Sequence, residues 1–121
     1  MFSIVTRETI KKYAQAVHEL AMDIMGKLAK GMGLSRISFE EWPCQFRINK
    51  YHFTPGTVGF PGIQIHTDPG FLTVLQDDEN VGGLEVVDKS GEFVAVEPLP
   101  GTFLVNLGDI ANVGNHFSIL K

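Results

Sequence analysis

The sequence IHTDPGFLTVLQ, residues 65–76, places two metal-binding side chains two positions apart in a run typical of a β-strand. Successive side chains of a strand point to opposite faces, so residues i and i+2 share one face. His66 and Asp68 are therefore expected to direct an imidazole and a carboxylate at one point, with Thr67 turned away. Such a pair is two thirds of the two-histidine, one-carboxylate set that binds non-heme Fe(II). Taken alone, a His-x-Asp pattern is weak evidence, because a surface turn is its ordinary explanation.

The composition indicates one modest globular domain. The chain has 121 residues, 44% of them hydrophobic, which suits a single folded unit. Its net charge of −4 and lack of a basic run give no sign of a nucleic-acid-binding surface. No apolar segment approaches the roughly 20 residues of a membrane helix, and the N-terminus lacks the order of a signal peptide. The single Cys44 cannot form an internal disulfide and fits a reducing, cytoplasmic setting.

Hydrophobic periodicity predicts one long amphipathic helix at the start of the chain. Over residues 1–33, apolar side chains recur every three or four positions, while lysines and glutamates occupy the other face. Thr6 is expected as the N-cap of this helix. Gly31 or Gly33 is expected to supply the left-handed residue that ends it.

After the helix, the period changes to the alternation typical of strands. Apolar and polar side chains alternate over residues 45–51, and residues 54–62 are rich in glycine and proline, which predicts a loop. The expected fold class is α+β, mainly β, with about six short strands in an antiparallel sandwich or barrel and the helix packed outside. The remaining predicted strands include residues 72–76, 84–87, 93–96 and 102–107, and the turn at residues 88–91 predicts a β-hairpin of the second and third of these.

Five blocks of sequence, in a fixed order, carry a resemblance to a known family. The chain resembles the plant soluble 2-oxoglutarate- and Fe(II)-dependent dioxygenases, which share a double-stranded β-helix, or jelly-roll, core with isopenicillin N synthase. Within that group it is most similar to the auxin-oxidising, DAO-type dioxygenases, and the resemblance extends to about Val113. The blocks are FRINKY (46–51), IHTD (65–68), LTVLQDD (72–78), VGGLEV (81–86) and VNLGD (105–109).

The resemblance implies a cofactor and a set of site residues. His66 and Asp68 match the first two iron ligands, Tyr51 matches a tyrosine that hydrogen-bonds 2-oxoglutarate, and Asn49 lies close to the same co-substrate. The implied chemistry is oxidation of a small organic acid, with indole-3-acetic acid as the candidate. It uses Fe(II), O2 and 2-oxoglutarate, with ascorbate as reductant.

The resemblance also divides the chain. It implies a helical lead-in at residues 1–44, a partial jelly-roll core at residues 45–113, and a divergent tail at residues 114–121. The implied partner is a small-molecule substrate, with no nucleic acid and no membrane.

The sequence departs from the family pattern near its end. The family places its third iron ligand, a histidine, on a strand that follows a Trp-Ser-Asn-Gly turn, and then an Arg-x-Ser pair grips 2-oxoglutarate. Neither signature follows Val113 here, and His116 comes too soon for a turn and a strand of typical length. The family normally has a further N-terminal region, and the start of this chain is short by comparison.

These departures lead us to expect a chain truncated at both ends. They keep open a truncated, catalytically inactive relative that is inert or acts by binding a full-length partner. A generic cupin-like binder of a metal or small molecule is a weaker alternative, because a second paired histidine motif is absent.

Overall fold

The computed structural model describes residues 4–34, 36–111 and 119–120, and the chain divides into two compact units, residues 1–48 and 49–121. The first unit is built on one helix, α1 (Ile4–Gly31). Gly33, at φ 74°, is the left-handed residue that ends it. The Leu34 N–H donates to the Ala29 carbonyl at 2.8 Å, and the Gly33 N–H donates to the Lys30 carbonyl at 3.1 Å. This pair of bonds is the Schellman motif, so the predicted glycine end is confirmed at Gly33.

The start of α1 differs from the prediction. Thr6 lies inside the helix, which begins at Ile4, so its assignment as the N-cap is wrong. A threonine near an apolar run resembles a cap in sequence. The structure continues the helix through Ile4 and Val5, whose side chains are largely exposed. Ile and Val are β-branched and favour a helix only weakly, so their presence did not indicate that the helix begins before Thr6.

Packing in the first unit involves one face of the last helical turns and aromatic side chains that follow them. Met25 and Ala29, four residues apart on α1, are buried, as is Phe39. The Phe39 ring meets Trp42 edge-on with 5.0 Å between centroids. Tyr13 and Phe46 form a second edge-on pair at 6.0 Å, and such pairs stabilise beyond the area they bury.

In the described part of the second unit, five short strands form two antiparallel sheets. In the first sheet, β1 pairs with β4, with Leu72 opposite Leu107 and Leu75 opposite Leu104. In the second sheet, β2 lies between β3 and β5. All three pairings are antiparallel, as predicted. The strands are β1 (Leu72–Leu75), β2 (Leu84–Val87), β3 (Phe93–Val96), β4 (Leu104–Leu107) and β5 (Ile119–Leu120).

The hairpin between β2 and β3 is confirmed, and its turn is organised by Asp88. The carboxylate oxygen Oδ1 of Asp88 accepts hydrogen bonds from the Ser90 N–H at 2.7 Å, the Ser90 hydroxyl at 2.6 Å and the Glu92 N–H at 3.1 Å. Gly91 takes a φ of 89° in this turn, a conformation that favours glycine. The Ser90 hydroxyl, followed by the backbone N–H groups of Glu92 and Ser90, lowers the pKa of the Asp88 carboxyl below its ordinary value.

The strand prediction for residues 45–51 is wrong, and one strand was missed. Residues 45–51 form no strand, although their side chains alternate. The short strand β5 was not expected at all. The α+β class is confirmed, yet the 28 residues of α1 outnumber those of the five strands together, so the described chain is not mainly β. Within the described residues, no helix has the length and apolar character needed to cross a membrane.

Candidate metal centre

His66 and Asp68 lie side by side just before β1. The structure places His66 Nε2 3.7 Å from Asp68 Oδ1, with the two side chains 42% and 20% exposed. Instead of a regular strand, His66 forms only an isolated β-bridge. The local extended backbone is still sufficient to turn residues i and i+2 the same way. The expected convergence of the imidazole and the carboxylate is therefore observed, although the strand predicted to carry them is not.

A backbone carbonyl determines which nitrogen of His66 is available to a ligand. Nδ1 lies 2.9 Å from the carbonyl oxygen of Gln64. A carbonyl only accepts hydrogen bonds, so Nδ1 must carry the proton and donate it. In the neutral imidazole, Nε2, which faces Asp68, then has a free lone pair. Metal-binding histidines typically donate their second ring N–H in this way, which fixes both tautomer and ring orientation.

The two oxygens of Asp68 have different surroundings. Oδ1 faces the His66 ring, whereas Oδ2 accepts a hydrogen bond of 3.0 Å from the side-chain amide of Asn106. Asn106 is in β4, opposite Thr73 of β1. Its own Oδ1 is buried and has no hydrogen-bond donor in the part of the chain that the structure describes. Sequence analysis did not find Asn106, and the only signal was one amide in the apolar strand LVNL.

The turn after β4 is hydrogen-bonded to the segment that carries Asp68. The Asp109 N–H donates to the Asp68 carbonyl at 2.8 Å, and the Gly108 N–H donates to the Phe71 carbonyl at 2.9 Å. The Thr67 hydroxyl also donates to this turn, to Asp109 Oδ2 at 3.0 Å. Asp109 therefore connects segments 42 residues apart. That Thr67 faces away from the His66–Asp68 pair stays a prediction.

Gly108 allows this close approach because it has no side chain. A β-carbon at this position would lie 2.7 Å from the carbonyl carbon of Gly70 and 2.8 Å from the carbonyl oxygen of Asp68. Backbone atoms cannot yield as the end of a flexible side chain can. The backbone around Asp68 can therefore lie this close to the residue after β4 only because that residue, Gly108, is a glycine.

The donor pair fits a divalent metal ion. Imidazole nitrogen and carboxylate oxygen bind metals such as zinc at about 2.1 Å, so two such ligands of one ion are at most about 4.2 Å apart. The observed 3.7 Å lies inside this limit. Within residues 4–34 and 36–111, no third histidine, cysteine or carboxylate joins them in a metal-binding cluster. His116, which comes too soon in the sequence for the family's third ligand, lies outside the described residues.

The residues expected to bind the co-substrate lie before the metal pair in the chain. Asn49 and Tyr51 are in an extended segment without regular structure, and Tyr51 is 39% exposed. The hydrogen bonds and ion pair given above for His66 and Asp68 involve neither of them. A cavity of about 200 Å³ lies at the Leu75–Leu104 end of the β1–β4 pair, and none of the predicted site residues lines it. The roles of Asn49 and Tyr51 remain predictions.

Comparison with known proteins agrees with the resemblance found in the sequence. Residues 42–118 match the model of the 2OG-Fe(II) oxygenase superfamily. The chain is 60% identical over 105 residues to the 2-oxoglutarate-dependent dioxygenase DAO of Oryza sativa subsp. indica, a match covering 86% of this chain and 35% of that protein. It therefore spans about a third of the length of this relative.

Two solved structures have the same fold over nearly the whole chain. The crystal structure of the rice dioxygenase for auxin oxidation (DAO) matches with a TM-score of 0.88 and 52% identity, covering 94% of this chain and 41% of that one. The Arabidopsis thaliana dioxygenase for auxin oxidation 1, solved with 2-oxoglutarate, matches with a TM-score of 0.84 and 48% identity, covering 98% and 52%. The predicted similarity to DAO-type dioxygenases is confirmed, and the chain belongs to the 2OG-Fe(II) oxygenase superfamily.

Proposed function

We propose that this chain contributes two iron ligands, His66 and Asp68, to a 2-oxoglutarate-dependent dioxygenase that oxidises a small organic acid. The observation that carries the proposal is the 3.7 Å separation of His66 Nε2 and Asp68 Oδ1, with each side chain held by a hydrogen bond on its far side. When bound, Fe(II) supplies activation of O2 coupled to decarboxylation of 2-oxoglutarate to succinate. Indole-3-acetic acid is the candidate substrate, because both solved relatives are described as dioxygenases for auxin oxidation.

The residues of the chain bind and orient in this scheme. In its neutral form His66 presents the lone pair of Nε2, because the Gln64 carbonyl selects the tautomer with the proton on Nδ1. The Asp68 carboxylate carries a negative charge, so it attracts a divalent cation more strongly than a neutral side chain would. Asn49 and Tyr51 are proposed to orient 2-oxoglutarate, the tyrosine through its hydroxyl. Ascorbate is proposed as the reductant that keeps the iron in its Fe(II) state.

The proposal includes the architecture and location of the protein. Residues 45–113 are assigned to part of a jelly-roll core, and the two antiparallel sheets of the second unit support this. A cytoplasmic location is proposed because the single Cys44 is exposed and forms no disulfide, which fits a reducing compartment.

The ligand pair is tested by histidine and aspartate variants with a matched histidine control. Succinate release is measured with Fe(II), 2-oxoglutarate, ascorbate and indole-3-acetic acid, and Co²⁺ affinity is measured by calorimetry. We expect His66→Ala and Asp68→Ala to abolish succinate release. They should also weaken Co²⁺ binding by more than the roughly 10- to 100-fold that loss of a ligand's hydrogen-bond partner costs. His52→Ala, which removes an exposed histidine on the preceding segment, should change neither.

The two readouts separate the parts of the proposal. Co²⁺ affinity that does not depend on His66 or Asp68 would refute the metal centre. Metal binding by this pair without succinate release would refute catalysis by this chain and leave a metal-binding, inactive relative. A different acid that supports succinate release would refute only the choice of indole-3-acetic acid.

A further inference from the structure

We propose that Asn106 is a positioning residue that fixes the Asp68 carboxylate for metal binding. The inference rests on the proposed function, in which His66 and Asp68 hold the iron. Asn106 donates from its amide nitrogen to Asp68 Oδ2 at 3.0 Å, and Oδ1 of the same carboxylate faces His66 Nε2 at 3.7 Å. The amide thus occupies one carboxylate oxygen and leaves the other for the metal.

This hydrogen bond limits how Asp68 can move. A carboxylate on a single methylene can rotate, and it can bind a metal through one oxygen or through both. An N–H donor on Oδ2 restricts the rotation and favours binding through Oδ1 alone. Partners of metal-binding carboxylates act in this way, because they orient the ligand before the metal arrives.

The position of Asn106 in the fold makes the donor rigid. Its backbone is in β4, in register with Thr73 of β1, so the amide is attached to a paired strand and not to a loop. The Asp109 N–H to Asp68 carbonyl bond of 2.8 Å ties the same two segments together three residues further on. Donor and acceptor are therefore both held by the sheet, although 38 residues separate them in sequence.

Stability alone does not explain an asparagine at this position. Its Oδ1 is buried without a donor among the described residues, and an unsatisfied buried acceptor lowers the stability of the folded state. A leucine has a similar size, lacks this defect, and suits an apolar strand. The one bond that accounts for the amide is the one to Asp68.

The test replaces Asn106 by leucine and separates metal affinity from stability. Co²⁺ is the probe, because it does not oxidise in air as Fe(II) does, and its affinity for the 121-residue chain is measured by calorimetry. For Asn106→Leu we expect affinity to fall about 10- to 100-fold, the usual effect of removing a partner of a metal ligand. The thermal midpoint of the metal-free chain should be unchanged or higher. The absorption spectrum of bound Co²⁺ should also change, because the geometry of Asp68 is no longer fixed.

Control variants identify which part of the proposal fails. Thr73→Val removes a hydroxyl opposite Asn106 without touching Asp68, and it should leave Co²⁺ affinity unchanged. If Asp68→Ala abolishes binding but Asn106→Leu binds as the parent does, the positioning role is refuted and the ligand pair stands. If Asp68→Ala has no effect, the ligand pair fails and the inference fails with it. Asn106→Ala is the second variant, and loss of folding in both would overturn the proposal in favour of a structural role.

Discussion

Gly108 is the residue whose size most directly limits the metal centre. A β-carbon there would lie 2.8 Å from the Asp68 carbonyl oxygen and nearer still to the Gly70 carbonyl group, closer than non-bonded atoms tolerate. Gly108→Ala therefore has to push the Asp68 segment away from β4. We expect it to lower the free energy of unfolding by about 1–3 kcal/mol, the usual cost of overpacking. Urea denaturation of the metal-free chain measures this loss, and Co²⁺ affinity should fall as well.

Gly70→Ala is the matched control on the other side of the same contact. A β-carbon at Gly70 would have no atom within 4 Å, and its φ is not in the left-handed region. This variant should unfold at nearly the same urea concentration as the parent chain. Equal stability of the two alanine variants would show that the approach of Gly108 to the Asp68 segment is not rigid.

At the level of single residues, the sequence predicted what depends on local geometry. His66 and Asp68 converge because positions i and i+2 share a face, which needs no knowledge of the rest of the chain. Asn106 and Gly108 reach Asp68 only through the register of β1 with β4, which brings together residues about 40 positions apart. No periodicity encodes that register, so these two supporting residues could be found only in the structure.

The β2–β3 hairpin depends on the charge of Asp88. Hydrogen bonds, first from the Ser90 hydroxyl and then from the Glu92 and Ser90 N–H groups, lower its pKa in the folded chain. A lowered folded-state pKa stabilises above the unfolded-state pKa, near 3.9, and that contribution is lost as the pH falls through the folded value. We expect Asp88→Asn to be less stable than the parent at pH 7, with the difference shrinking below about pH 4. Thermal unfolding from pH 7 to pH 2.5 measures it.

Ser90→Ala is the companion variant for this turn. It removes the largest cause of the lowered pKa, so the acid-induced loss of stability should begin at a higher pH than in the parent chain. A parent chain and an Asp88→Asn variant that keep the same difference in thermal midpoint at every pH would contradict a role for the charge.

At the level of elements, the sequence predicted the hairpin, whose strands are adjacent in the chain, but not which other segments find a strand partner. The hairpin was predicted because two alternating runs flank a short polar turn. Residues 45–51 show equally good alternation but form no strand, because a strand also needs a neighbour to receive its backbone hydrogen bonds. The two residues of β5 are ordered by pairing with β2, and so short a run has no periodicity to detect.

At the scale of the whole molecule, more large apolar side chains are exposed than buried among the described residues. Phe93 and Val94 of β3 are 52% and 45% exposed, and among the described strands β3 pairs only with β2. Within this part of the chain, the other edge of β3 therefore pairs with no strand and lies beside apolar side chains. An exposed apolar edge strand is a known template for association between chains.

The parent chain should therefore self-associate as its concentration rises, and a charge on the β3 edge should oppose this. Val94→Lys places a charge on that edge, which disfavours edge-to-edge pairing. We expect it to lower the free energy of unfolding only slightly, because Val94 is already 45% exposed. Gln15→Lys makes the same change in net charge on an exposed face of α1 and is the control. Sedimentation equilibrium from low to high micromolar concentration should show a smaller average mass for Val94→Lys than for the parent and Gln15→Lys chains. A parent chain that stays monomeric and unfolds in one cooperative thermal transition would contradict association through exposed apolar surface, since a covered core and protected strand edges are what such behaviour requires.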